Sequence, residues 1–564
     1  MLNNIYGVDI DSQAVEVTKL SLLLKVLEDQ NKDVVEQQQK LFQERALPYL
    51  GDNIKCGNSL IGTDILEQGD LSDEEIFNIN PFDWEEEFEE VFENGGFDAV
   101  IGNPPYIRIQ LLKKDKSSVK YYKDKYVSSV GSYDIYSLFV EKALKLTNEG
   151  DIGFILPNKF ILANYGAGLR DLIQQTSSLK KLINFKDNQI FSTASTYTCL
   201  LFLSKNSKSF KYAEIEDFND YQAMFENIDR NKEYDDGNLS VGILSSKKYI
   251  EGDWKFYIGN SASLINKLSN MDPKLKDFTE KIFVGLQTSA DKAYILTLVE
   301  EKGELLELRS PQTNETHLFE KEIVKKYIKG KEIKRYSFDY QNKYIIFPYN
   351  LKDDSYELID KKTMQNKFPY CWDYLKKVEK ILRKRENNKM NNKEWWAFTY
   401  PRSMLDYRNP KIMTPNSAFN SSFTFDSEGT YYITVGVAGG YAIKLKDDSH
   451  LHELYLLAIL NSSLMDLFNK KTGTSLRGKY YSFNGNIIGN YPIKDISVNN
   501  QKPFVELSKK MLDLNEQLRI CKTPKEKRLL EKQIAITDKK INQLVYKLYE
   551  LTSEEIAIVE NSRH

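Results

Sequence analysis

Histidine and cysteine are scarce in this chain, four of each in 564 residues. The cysteines, Cys56, Cys199, Cys371 and Cys521, stand singly, without the close pairs of a zinc knuckle or the density of a disulfide scaffold, and read as buried thiols. Only His450 and His452 are near each other, in "DDSHLHELY". Alternation would put both on one face of a strand, but a solvated loop is the better reading, and no metal site is expected. No run of 18 or more apolar residues occurs, so a membrane span is unsupported. The N-terminus "MLNNIYGVDID" has neither a basic leader nor a cleavage pattern, which leaves a cytoplasmic protein as the expectation. Internal repeats and low-complexity linkers are also missing. At this length two to four domains are expected.

The net charge of −3 hides an asymmetry. Residues 1–100 carry 23 Asp/Glu against 6 Lys/Arg, much of it in "DWEEEFEEVFENGGFD", which reads as a solvated insertion between two strands. Residues 361–410 carry 13 Lys/Arg against 5 Asp/Glu. In "KKVEKILRKRENNKMNNKEWWAFTYPRS" aromatics interleave with the cations, which suits a nucleic-acid surface, although a lysine-rich helix face would look much the same. Arg383, Lys384, Arg385, Trp395, Trp396 and Arg402 are the candidate contacts, with the two tryptophans equally readable as core.

Periodicity divides residues 1–205 into alternating strands and helices. "NIYGVDI" is a short strand ending in Asp9, "DSQAVEVTKLSLLLKVLED" a helix, and "DNIKCGNSL" a second strand and turn. "FDAVIG" is a buried strand that must end at Asn103, because Pro104 and Pro105 fix φ and lack N–H donors. A helix around "YDIYSLFVEKALKLTNEG" and the strands "DIGFILP", "LKKLINF" and "YTCLLFLSK" complete the series. Such alternation predicts an α/β doubly wound sheet with ligands at the carboxyl ends of its strands, where Asp9, Asn58 and Asn103 fall.

"GVDID", "CGNSL", "FDAVIGNPPY", "GDIGFILPNKF" and "FSTASTYTCLLFL" follow in the order and spacing of the gamma-type, TaqI-like adenine-N6 DNA methyltransferases, including those fused to type IIG restriction enzymes. NPPY alone also occurs in protein and RNA methyltransferases; five blocks in register are far more specific. Further along, "YIKGKEIKRYSFDYQNKYIIFPY", "NPKIMTPNSAFNSSFTFD" and "ELYLLAILNSSLMDLFNKKTG" resemble the family's target-recognition domain, so the likeness covers virtually the whole chain. It implies a class I Rossmann-like methyltransferase sheet, an α+β recognition domain and a helical tail. It also implies S-adenosyl-L-methionine as cofactor and double-stranded DNA as partner, within a restriction-modification or phage-defence system.

The chemistry fits those residues. An adenine amine is a poor nucleophile because its lone pair is delocalised into the ring. Two acceptors aimed at its N–H bonds, the Asn103 side-chain carbonyl and the Pro104 backbone carbonyl, would free that lone pair, and Pro104 and Pro105 preset the geometry. The base must first leave the duplex, and a flipped purine is held by aromatic faces. Tyr106 is one; Phe191, by its position in "IFSTASTYTCLLF", resembles the second. Asp9 resembles the acid that accepts the cofactor's ribose hydroxyls, and Asn58 stands where many relatives have an Asp contacting its adenine. A loop cap is the ordinary alternative for either.

One motif is missing. The glycine-rich turn that cradles the methionine half of the cofactor should precede "NIYGVDID", and its strand is missing with it. The reading is of an N-terminally truncated sheet, with the missing motif, or a nuclease, on a separate polypeptide. The alternative function is a DNA-binding module without activity of its own. The expected divisions are 1–205 catalytic, 206–265 connector, 266–495 recognition and 496–564 helical tail. In the tail Thr523 caps, Pro524 opens and Glu526 completes a capping box. Leu530, Ile534, Thr537, Ile541, Leu544 and Leu548 then form the stripe of a helical hairpin packing within the chain.

Overall fold

The computed structural model describes all residues except 1–2, 29–48, 69–70, 113–114, 192–195, 249–253, 437–438, 477 and 563–564. The chain forms two compact units, Met1–Gly259 and Asn260–His564.

In the first unit, β1 (Gly7–Asp9) pairs in parallel with β2 (Ile54–Cys56), and helix α1 (Ser12–Glu28) follows β1. A second sheet holds β3 (Ala99–Gly102), β4 (Asp151–Pro157), β5 (Leu179–Asn184), β6 (Thr198–Ser204), β7 (Ser209–Ile215), β8 (Tyr234–Asp235) and β9 (Leu239–Ser245), in the order β3-β4-β6-β5-β7-β9-β8. β3 runs parallel to β4 and β5 to β7, while β6 is antiparallel to both β4 and β5. Successive residues of a strand face opposite sides. Leu182 and Tyr212 therefore join Leu156, Phe160 and Ile173 in one core, while their neighbours Ile183 and Ala213 join Ile228 and Val241 in another. The architecture is mixed α/β, with apolar cores on both faces of the larger sheet. β3 lies at its edge, and Ile101 on it is 86% exposed.

Two expectations are corrected here. Residues 206–265, read as a connector, supply β7, β8 and β9 to this sheet. The polar "YDDGN" is a hairpin turn: Asp236 accepts from the backbone N–H groups of Asn238 (2.9 Å) and Leu239 (2.8 Å), and Gly237 takes φ +89°. Turn chemistry and linker composition use the same letters. The acidic insertion is anchored as well as solvated. Short helices Asp73–Ile79, Trp84–Glu87 and Glu89–Glu93 turn their carboxylates outward, while Trp84 and Phe88 pack against Tyr6 and Phe97, with ring centroids 5.3 Å apart for Tyr6–Phe88 and 5.8 Å for Trp84–Phe97.

The second unit holds a five-stranded and a four-stranded antiparallel sheet with a common apolar core. Its tail consists of helices Val498–Ile520, Pro524–Leu548 and Ser553–Asn561. Thr523 caps the second of these, accepting from the Glu526 N–H at 3.3 Å, and Pro524 opens it. The tail packs within the chain: Arg335 pairs with Asp538 at 2.5 Å, and Asn542 accepts from the Ser463 N–H at 2.8 Å. His450 and His452 do not share a strand. His450 meets Asp495 at 2.6 Å, and His452 caps helix Glu453–Leu460 by accepting from the Leu454 N–H.

Candidate active site

β3 ends at Gly102, one residue earlier than the prolines alone required. A side chain at Gly102 would meet the Phe154 ring at 2.7 Å, so glycine lets β3 close on β4 there. Asn103 follows, exposed, and Pro104 is buried behind it. Tyr106 anchors the turn: its hydroxyl donates to the Ile155 carbonyl at 3.2 Å, and its ring lies against the sheet core. Burial pushes that hydroxyl's pKa up to about 12, with the Cys199 thiol adding to the effect. Beyond it, Ile135 N–H donates to the Ile107 carbonyl (2.9 Å) and Ile109 N–H to the Tyr133 carbonyl (3.2 Å). Both flanks of the NPPY turn are thus fastened to the framework.

Register brings a second loop to the same end of the sheet. β3 and β4 are parallel, Leu156 and Asn184 both pair with Cys199, and the segment linking β5 to β6 therefore leaves beside the carboxyl ends of β3 and β4. Phe191 lies in that segment, half-buried, with its carbonyl accepting from the Gln189 side chain. The rest of the quoted "FSTAST" block, residues 192–195, lies outside the described residues. Asn158, to which the sequence reading gave no role, ties these ends together. Its amide donates to Asn184 Oδ1 and to the Lys186 carbonyl, each at 2.9 Å. The available signal was an asparagine directly after a strand, as at Asn103.

Asp9 and Asn58 stand at the carboxyl ends of β1 and β2. Asp9 is exposed and accepts from the Asp11 N–H at 2.8 Å. Asn58 donates to the Ile79 carbonyl (3.1 Å) and accepts from the Leu60 N–H (3.1 Å), so both make the loop caps named as the ordinary alternative. The Asn58 loop is rigid. Tyr121 accepts from the Gly62 N–H (3.0 Å) and donates to Asp64 (2.6 Å), and Tyr126 donates to the Leu60 carbonyl (2.6 Å).

Comparison with known proteins gives two family matches: residues 3–191 to the Eco57I restriction-modification methylase, and residues 325–493 to the TaqI-like C-terminal specificity domain. This chain joins an Eco57I-type methylase domain to a TaqI-like specificity domain. Its relatives include the type II restriction enzyme and methyltransferase RM.Eco57I of Escherichia coli, 27% identical over 88% of this chain and 48% of that protein. The type II methyltransferase M.BstVI of Geobacillus stearothermophilus is 22% identical over 85% of this chain and 77% of its own. The chain thus spans about half the length of the Eco57I enzyme. The solved structure of the type IIL restriction-modification enzyme MmeI in complex with DNA shares its fold, with TM-score 0.52 and 14% identity, covering 86% of this chain and 58% of that one.

In the unit carrying the specificity domain, three of the six candidate DNA contacts are corrected. Trp395 and Trp396 are buried against each other and Trp372, with centroids 5.3 to 5.8 Å apart. Arg385 is buried too, donating to the carbonyls of Leu382 (2.8 Å), Thr288 (2.7 Å), Trp395 (2.6 Å) and Ala397 (2.9 Å). Its guanidinium serves the fold. Arg383 is half-buried, paired with Glu379 at 2.7 Å. Lys384 is exposed, as is Arg402, whose guanidinium lies 5.5 Å from the Tyr400 ring centre. The glycines of "ITVGVAGGYAI" include Gly439, where a side chain would strike the Thr434 carbonyl at 1.8 Å; Val437 and Ala438 lie outside the described residues.

Proposed function

We propose that this chain is the methylating and DNA-reading part of a restriction-modification enzyme, transferring a methyl group from S-adenosylmethionine to N6 of an adenine extruded from duplex DNA. The observation that carries it is the NPPY turn, with Asn103 exposed at a strand end and Tyr106 pinned to the neighbouring strand. Rigidity matters because the acceptors work only when preset against the amine.

The donor set fits the cofactor's adenosine half. The exposed Asp9 carboxylate suits two ribose hydroxyls, and the fastened Asn58 loop suits the purine. When bound, the cofactor supplies an electrophilic methyl group on a sulfonium. The chain does the rest. Asn103 Oδ1 and the Pro104 carbonyl accept the two N6–H bonds and turn the nitrogen lone pair toward the methyl. Tyr106 and Phe191 hold the purine by its faces. The proton lost from N6 passes along the Asn103 hydrogen bond to solvent, which reaches that exposed side chain.

The exposed edge of β3 supports a Rossmann-like sheet in which one further parallel strand joins β3 to β1. The test of the function is single-turnover transfer of tritiated methyl to unmodified duplex DNA, with the product nucleoside identified by mass spectrometry. With a polypeptide carrying the glycine-rich motif supplied, N6-methyladenine from the wild type and a loss of about 100-fold or more in Asn103→Ala are expected. Undiminished transfer by Asn103→Ala would overturn the reading.

A further inference from the structure

The corrected contacts leave open which surface of the specificity domain meets DNA, and a different hairpin answers it. Strands Ser475–Leu476 and Tyr480–Ser482 form this hairpin, and Ser417–Ala418 adds to its outer side. Gly478 and Lys479, which lead into the second strand, take left-handed φ of +79° and +61°. Its base is held firmly. Phe483 N–H donates to the Asn416 carbonyl (2.9 Å), Asn416 N–H to the Gly439 carbonyl (3.0 Å) and Ser482 N–H to the Thr474 carbonyl (3.0 Å), while Phe483 itself is buried.

On this stiff base sits an exposed aromatic pair. Ala418 pairs with Tyr481, which puts Phe419 opposite Tyr480 at the next position. Their ring centres are 4.3 Å apart, with Phe419 51% and Tyr480 40% exposed. Neither ring helps to fill the core, and rigid aromatics on a fixed strand pair are well suited to contact. The sequence of this stretch is basic. Between Asp466 and Asp495 the sequence holds Lys470, Lys471, Arg477, Lys479 and Lys494 and not one acid. Lys479 is exposed, and among the described residues it has no acidic partner. Lys470 lies beside Phe419 too, but its charge is matched: it bonds Asn420 Oδ1 and pairs with Asp466, each at 2.9 Å.

We infer that the strand pair Ser475–Leu476 and Tyr480–Ser482, with Lys479 and Phe419, enters a groove of duplex DNA. Lys479 meets a phosphate, and the Phe419–Tyr480 pair lies against deoxyribose and base edges. A two-stranded ribbon is of a size that the major groove admits. The exposed Lys479 beside the aromatic pair fits a polyanion, whereas a symmetric pairing of two copies through this face would set the two Lys479 charges together. The inference rests on the DNA-reading function proposed above.

The experiment uses the full chain and a fluorescein-labelled 30-base-pair duplex, with binding followed by anisotropy between 50 and 200 mM NaCl. Lys479→Asn removes the charge while tolerating the left-handed backbone. It should lower the slope of log affinity against log salt by about one. Phe419→Ser/Tyr480→Ser should weaken binding about tenfold with little change in that slope. Should the double variant melt earlier than wild type, Lys479→Asn decides alone. Wild-type binding with both variants unchanged would overturn the hairpin assignment and leave DNA reading intact. A wild-type chain that does not bind the duplex at 50 mM salt would overturn the DNA reading itself. Sedimentation that shows a wild-type dimer dissociated by the double variant, with DNA binding unaltered, would identify a second copy as the occupant and overturn the proposal.

Discussion

Replacing Arg385 by alanine separates a guanidinium that reads DNA from one that holds a fold together. Arg385 donates to four backbone carbonyls at 2.6 to 2.9 Å and lies 5.5 Å from the centre of the Tyr294 ring. At about 1 kcal/mol net per hydrogen bond the loss is about 4 kcal/mol. That falls within the roughly 3–5 kcal/mol found when one partner of a buried charged arrangement is removed. For a unit of about 300 residues the entropy of unfolding near the midpoint is about 0.6 kcal/mol/K, so the melting temperature should fall by about 6 °C. Arg385→Lys should recover only part of this, because an ammonium cannot span the planar fan of acceptors. Exposed Lys384→Ala should stay within about 1 °C of wild type. Calorimetry of the full chain, paired with duplex binding of the still-folded variants, measures both quantities. Arg385→Ala that melts like wild type yet loses DNA affinity would refute the argument.

Phe191→Ala should reduce the fluorescence rise of 2-aminopurine placed at the target position, and an undiminished rise would remove Phe191 from the base pocket. Lys411 and Asp426 form a fully buried pair at 2.5 Å, and burial holds the lysine pKa below its usual value despite the nearby carboxylate. Lys411→Met should cost about 3–5 kcal/mol, and adding Asp426→Asn should restore part of it in urea unfolding; a double variant less stable than the single would refute this. At Asp64 burial works to raise the pKa, but hydrogen bonds from Lys125 and Tyr121 outweigh it and leave the carboxyl below its ordinary value. Its stabilisation is therefore present above the unfolded pKa and lost as pH falls through the lower folded one. The melting gap between wild type and Asp64→Asn should narrow as pH falls below the ordinary carboxylate range, and a gap that stays constant down to acid unfolding would contradict the shift.

What the sequence determined by itself is local and stereochemical. Pro104 and Pro105 stop a strand wherever they fall, so Asn103 was bound to sit at a strand terminus, and the strand in fact ends at Gly102. Thr523 and Pro524 start a helix for equally local reasons. Tertiary structure decided which way side chains face once the chain bends. The segment after helix Pro369–Arg383 reverses through left-handed Glu386, Asn387 and Asn388, at φ +48°, +55° and +69°, and Arg385 at that reversal turns inward onto carbonyls. A cation beside aromatics is spelled the same whether it bonds a phosphate or a backbone oxygen. Only the bend distinguishes them. Phe419 and Tyr480 show the converse, since nothing in either local stretch signals a pair. Strand registry brings their rings to 4.3 Å because hydrogen bonds between distant segments, not neighbours in the chain, fix that distance.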